Sequence, residues 1–126
     1  MKTRISQMLI KPEVTVISAL KKLSKTGERC LIVVNNNKKF LGTITDGDIR
    51  KSILKKESYL SSIKNIYNRK AAYIFKNKFN QNVAESILRK KKHILIPIVD
   101  KKLKPVDFFT IYDSTNKDVK LNKNIV

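Results

Sequence analysis

Gly42-Thr43-Ile44-Thr45-Asp46-Gly47-Asp48-Ile49-Arg50 decides how this chain reads, because a degenerate copy of it returns further on. In Asp107-Phe108-Phe109-Thr110-Ile111-Tyr112-Asp113 the threonine and the aspartate recur, Thr45 as Thr110 and Asp48 as Asp113, each 65 positions later. Both copies follow an apolar run at the same distance: Leu31-Ile32-Val33-Val34 in one, Ile96-Pro97-Ile98-Val99 in the other. Self-similarity at a fixed spacing marks a repeated supersecondary unit. A hydroxyl and a carboxylate that recur at a strand end in two half-domains read as two related ligand sites.

Working outward, each half carries the same element pattern. Thr15 is placed to cap a helix whose apolar residues Val16, Ala19, Leu20 and Leu23 fall on one helical face, and Gly27 stops it. The near-continuous apolar run from Arg29 to Asn35 reads as a strand covered on both faces, and Asn35-Asn36-Asn37 supplies turn chemistry. Phe40 to Thr45 returns as a second strand, after which Asp46 is expected to cap a helix with Ile49, Ile53 and Leu54 on its inner side. In the second half, Ala72 to Phe75 reads as a short strand, and Asn80 caps a helix holding Ala84, Ile87 and Leu88. A hairpin follows, from Ile94–Val99 to Leu103–Thr110, turning at Asp100-Lys101-Lys102. Between the halves, Ile63, Ile66 and Tyr67 suggest a short docking helix in an otherwise polar stretch.

At 126 residues the chain is long enough for one compact domain, which buries roughly two-thirds of its unfolded surface. No apolar run approaches the ~20 residues of a membrane helix, and Met1-Lys2-Thr3-Arg4 does not open a secretory signal. The single cysteine, Cys30, excludes an internal disulfide, fits a reducing cytoplasm, and heads an apolar strand as a small buried residue. A net charge of +18 is the footprint of a nucleic-acid or anionic-surface binder. Yet only 5 of the 28 basic residues are arginine, the better reader of phosphates and base edges, and the lysines are scattered. Compositional drift explains the charge more economically, and nucleic acid is not the expected partner. Catalysis finds no support: His93 stands without metal-ligand spacing, and there is no glycine-rich phosphate loop or nucleophile motif.

Two β-α-β-β-α units with a strand ending in Gly-x-x-Thr-x-x-Asp (Gly42, Thr45, Asp48) resemble a tandem pair of CBS (cystathionine β-synthase) domains. The resemblance covers residues 5–113 and is more specific in the first motif than in the second, where Asp107 replaces the glycine. It implies an α/β fold of two repeats with pseudo-twofold symmetry, 1–57 and 58–113, followed by a tail or linker, 114–126. Leu41 to Arg50 further resembles the CBS pairs that precede a nucleotidyltransferase domain in sugar-nucleotide biosynthesis, which implies that these residues are the regulatory part of a longer transferase.

A carboxylate at a helix start can accept hydrogen bonds from both ribose hydroxyls, the role open to Asp48 and Asp113. Thr45, Thr110 and unpaired helix amides suit a phosphate, and Arg50 can reach one from the first turn. By resemblance, the base would lie against Lys11, Pro12 and Val14 with Cys30 and Leu31 in the first site, and against 77–79 with 95–97, including Pro97, in the second. The implied ligand is AMP, ADP or ATP, and the implied assembly a homodimer using Ile49, Ile53, Leu54 and any of Phe108, Phe109 and Tyr112 not spent on the core. The first site is the stronger expectation, because Asp107 adds bulk and charge where a glycine would let a phosphate approach. Thr-x-x-Asp is also ordinary helix capping, worth about 1 kcal/mol without any ligand, and spacing alone does not separate the two readings. A ligand-free dimerisation module therefore stays open as an alternative.

Overall fold

The computed structural model describes residues 2–56, 58–91, 93–111 and 113. In chain order the elements are α1 (Lys2–Ser6), β1 (Leu9–Ile10), α2 (Val16–Thr26), β2 (Cys30–Val34), β3 (Phe40–Thr45) and α3 (Asp46–Leu54), then β4 (Ile74–Phe75), α4 (Gln81–Lys91), β5 (Leu95–Val99) and β6 (Pro105–Thr110). They build two three-stranded sheets, β1-β2-β3 and β4-β5-β6, each with a parallel first pair and an antiparallel second pair.

The spacing of 65 seen in the motif holds through both hairpins, whereas the parallel pairs differ by one residue, Leu9 facing Ile32 but Ile74 facing Ile98. Cys30 pairs with Thr45 as Leu95 pairs with Thr110, and the register shifts at Val33/Val34 as it does at Ile98/Val99. Both hairpins turn through a residue with positive φ, Lys38 at 62° and Leu103 at 65°. The turns close identically: Asn35 Oδ1 accepts from the amides of Asn37 and Lys39, and Asp100 Oδ1 from those of Lys102 and Lys104. One bond distinguishes the two hairpins. The Phe40 amide donates to Leu103 O across the repeats, and its counterpart cannot form because Pro105 has no N–H.

Local sequence explains the helices. Thr15 Oγ1 accepts from the Ser18 amide at the start of α2, and Gly27 ends it at φ 75°, a conformation that costs glycine nothing. Asn80 Oδ1 accepts from the amides of Asn82 and Val83 to open α4. At α3 the cap is Thr45 rather than Asp46, which is the first helical residue. The threonine wins because it keeps the extended backbone of β3 while its hydroxyl turns back onto the Asp48 amide. On the same helix Ile49 is buried and Ile53 packs partly, but Leu54 is 76% exposed, so it is not an inner residue.

Every residue of β2 and β5 is buried, as expected of strands covered on both faces. Alternation sends Leu31 and Val33 into a core with Val16, Ala19, Leu23 and Ile49, while Cys30, Ile32 and Val34 meet Leu95 and Phe108 between the sheets. Full burial of each large apolar side chain contributes about 1.5–3 kcal/mol, so the shared cluster between the sheets ties the two halves together. Ile63, at a 3-10 turn spanning Ile63–Asn65, and Tyr67 complete the first core, and Ala84, Leu88, Ile96 and Phe109 form the second. Phe108 and Phe109 are thus spent inside the chain and offer no dimer patch. Tyr112 and the tail 114–126 lie outside the described residues.

The segments that precede β1 and β4 are exchanged between repeats. Helix α1 packs against β6, and Asn68 bridges to Thr43 on β3. Gly42 makes that second contact possible: a Cβ there would overlap the Asn68 carbonyl oxygen and come 2.9 Å from the Tyr67 ring. The glycine of the motif therefore serves the approach of this chain's own backbone, not that of a phosphate.

Candidate functional site

The first motif forms a reciprocal cap. Thr45 Oγ1 accepts from the Asp48 amide at 3.0 Å, and Asp48 Oδ2 accepts from the Thr45 amide at 3.0 Å. The next two helix amides are also taken inside the chain, Asp46 N–H by Arg29 O and Gly47 N–H by Asp46 Oδ1. A phosphate at this end would therefore have to be read by side chains. Arg50 is turned along α3 onto Asp46 Oδ2 at 3.6 Å, and Arg29 reaches the same oxygen at 3.4 Å, so the two guanidiniums stand together at the helix start. Among the described residues no cation pairs with Asp48.

The other residues expected at the first site divide. Register brings Cys30 beside Thr45, but its side chain points into the inter-sheet cluster and Leu31 into the first core, leaving both to contribute backbone only. Burial pushes the Cys30 thiol up to about 12, so it is not a thiolate. Lys11, Pro12 and Val14 make the turn between β1 and α2, with Val14 O accepting from the Ile63 amide; Lys11 is exposed, Pro12 buried and Val14 half-buried.

The second motif repeats the cap and adds a cation. The Thr110 amide donates to Asp113 Oδ2 at 2.8 Å, and the Asp113 amide to Thr110 Oγ1 at 3.2 Å. Arg4 then grips the same carboxylate with both ends of its guanidinium, Nη1 to Oδ1 at 3.1 Å and Nη2 to Oδ2 at 2.8 Å. Its Nη2 also donates to Phe108 O at 2.8 Å, its Nε lies 3.5 Å from Asp107 Oδ1, and its plane sits 4.0 Å from the Phe108 ring centre. Burial pushes the Asp113 carboxyl up, but the bonds from Arg4 and Thr110 outweigh it and hold the group below the usual carboxylate range. The bond to Asp113 raises Arg4 in turn.

Beside this network lies a cleft of about 890 Å³, lined by Arg4, Lys76, Phe79, Ile98, Phe109 and Asp113. Phe79 belongs to the segment expected against a base here and meets the Phe109 ring at 5.8 Å between centres. Pro97 is buried in β5 opposite Phe108, and Thr110 is buried beneath its cap. Sequence reading missed Arg4. The signal was present, since Arg69 stands 65 positions after Arg4 and repeats it.

Residues 6–55 match the CBS domain model. The fold also superposes on solved structures over most of its length. AcuB from Vibrio cholerae matches with a TM-score of 0.81 at 17% identity, covering 91% of this chain and 84% of that one. The fold is that of a CBS domain pair. CBSX2 of Arabidopsis thaliana, solved in complex with AMP, matches at 0.77 and 19% identity over 90% and 88% of the two chains. The CBS domain protein PAE2072 from Pyrobaculum aerophilum, also complexed with AMP, matches at 0.76 and 15% identity over 84% and 81%. No curated protein sequence matches the chain. Among the described residues no helix is long and apolar enough to cross a membrane, and no three His, Cys, Asp or Glu side chains group as metal ligands.

Proposed function

We propose that this CBS pair is a regulatory module that binds an adenine nucleotide or related nucleoside between its repeats, with Asp48 receiving the ribose hydroxyls. The observation that carries the reading is the state of Asp48: a carboxylate at a strand-to-helix junction, unpaired with any described cation, beside two arginines already gathered at Asp46. Arg29 and Arg50 supply the positive charge that a phosphate needs there, in place of the helix amides, and Thr45 holds Asp48 in position. Two similar folds hold AMP, which supports the ligand class. In this reading the repeats are 1–57 and 58–113, the stretch 114–126 links to a partner domain, and the module works in the cytoplasm. A nucleotidyltransferase as that partner rests on the resemblance of Leu41 to Arg50 alone.

A thermal-shift series with AMP, ADP, ATP and S-adenosylmethionine tests the proposal. A ligand at 100 times its dissociation constant adds about 2.7 kcal/mol of stability. Asp48→Asn should remove that gain while retaining an acceptor for the Thr45 amide. Each protein must be compared with its own ligand-free melt, since damage to the cap itself costs about 1 kcal/mol. No shift with any ligand sinks the reading.

One observation favours a second reading, a dimerisation module without ligand: Leu54 and Leu60 are 76% and 77% exposed, close in sequence beyond the inner face of α3. Sedimentation of the wild type against a Leu54→Lys, Leu60→Lys variant decides it. A dimer lost in the variant and indifferent to nucleotide would put association first.

A further inference from the structure

Arg4 and Arg69 stand 65 positions apart, each in a segment that precedes the first strand of its own repeat and packs on the last strand of the other. Their side chains end differently. Arg69 lies 4.3 Å from the Tyr67 ring centre and donates to Lys64 O, away from Asp48. Arg4 turns inward, where Phe108 O, the counterpart of the Thr43 oxygen that takes the Asn68 amide, accepts from its guanidinium instead. Asp107 stands where the first motif has Gly42. With no backbone approaching as closely as Asn68 approaches Gly42, the position can carry a carboxylate, and that carboxylate faces Arg4 at 3.5 Å. The departure from the motif glycine and the capture of Asp113 thus belong to one arrangement.

We infer that Arg4 is an internal gate on the second cleft: by holding Asp113 it denies a nucleoside its ribose acceptor, so the module takes one nucleotide per chain, at Asp48. Space does not limit the second cleft, since about 890 Å³ lies within the range of small-molecule sites. Its wall also offers the Phe79 and Phe109 rings and Lys76. What it lacks, among the described residues, is an unengaged carboxylate. Both Asp113 oxygens accept from one guanidinium, and two charge-assisted bonds in fork geometry leave neutral hydroxyls little to compete for.

The inference rests on the nucleotide reading above, and calorimetric titration with AMP separates the two. The wild type should take up one AMP per chain. Arg4→Met, which keeps an aliphatic cover on Phe108, should take up two, and Arg4→Met with Asp113→Asn should return to one. Arg4→Lys keeps the charge without the fork and should show the second event more weakly; it serves if the Met variant does not fold. Two sites in the wild type, or one in the wild type and still only one in Arg4→Met, overturn the gate. So does loss of binding in Arg4→Met, which would make Arg4 a ligand residue. If the wild type binds nothing while Arg4→Met binds one, the gate stands and the assignment to Asp48 fails. If neither binds, both fall.

Discussion

Gly42→Ala is the sharpest test of what the motif glycine does. The added methyl would overlap the Asn68 carbonyl oxygen, a main-chain atom with no rotamer to escape into. Either the Tyr67–Asn68 segment lifts from β3 or β3 itself shifts. Lifting breaks two backbone hydrogen bonds, Thr43 N–H to Asn68 O at 3.1 Å and Asn68 N–H to Thr43 O at 2.7 Å. It also loosens Tyr67, which closes the first core beside Ile63. Overpacking costs about 1–3 kcal/mol, and each lost bond about 1 kcal/mol net. Because the molecule would lose the bonds in order to relieve the overlap, the two costs do not add in full, and about 2–4 kcal/mol is expected. Against a total stability of about 5–15 kcal/mol this is a large fraction, visible as a drop in melting temperature of roughly 6–15 °C. Urea and thermal melts without nucleotide measure it. Asp107→Ala is the matched control, since its side chain is 56% exposed and loses the 3.5 Å contact to Arg4 and the bond it accepts from the Phe108 amide, together a cost of about 1–2 kcal/mol. A Gly42→Ala protein as stable as the wild type, weakened only in nucleotide affinity, would refute the packing account and restore the phosphate-approach reading.

Two further expectations concern buried and paired groups. Cys30, 2% exposed and with its thiol pushed up to about 12, should resist thiol reagents in the native protein and label only at the rate of global unfolding as urea is added; rapid stoichiometric labelling without urea would contradict its placement between the sheets. Asp113 is held below its ordinary value in the folded state, so its pairing stabilises above the unfolded carboxyl range of about 4 and is lost as pH falls through the folded value. Urea midpoints of wild type and Arg4→Met should therefore differ most near neutrality and converge below about pH 4, and a gap that is constant or widens with acid would refute the pairing.

Much of this fold is legible in the chain because the code is local and is written twice. Thr15, Gly27, Asn35, Asn80 and Asp100 each act on backbone within four residues, so composition at those positions specifies geometry directly. The all-apolar runs of β2 and β5 announce burial on both faces. The cap on α3 was misplaced by one residue because Thr45 and Asp46 are both good caps, and only the backbone decides between them. Leu54 was misjudged because helical spacing assigns a face without saying how far the partner surface extends. The contacts of Arg4 were the least legible. They span 104 and 109 residues of sequence and depend on which repeat α1 packs against, a tertiary choice that no local pattern encodes.

That choice changes how the two motifs should be compared. Read as sequence, Asp107 looks like decay of a ligand site, a glycine lost and a charge gained. In the fold it is one of two carboxylates that receive Arg4, while Gly42 is required by Asn68. Each motif is thus shaped by the segment that the other repeat lends it: backbone at close range in the first, a guanidinium in the second. A site in a duplicated fold cannot be scored by its match to the motif alone, because the exchanged segment can supply the missing chemistry or occupy it. Here the first motif keeps its carboxylate clear of cations among the described residues and the second has its carboxylate filled, though both build the same Thr-to-Asp cap. The cap therefore carries no information about binding. What separates the two sites is the partner of the second carboxylate oxygen, which Asp113 gives to Arg4 and Asp48 gives to no described cation.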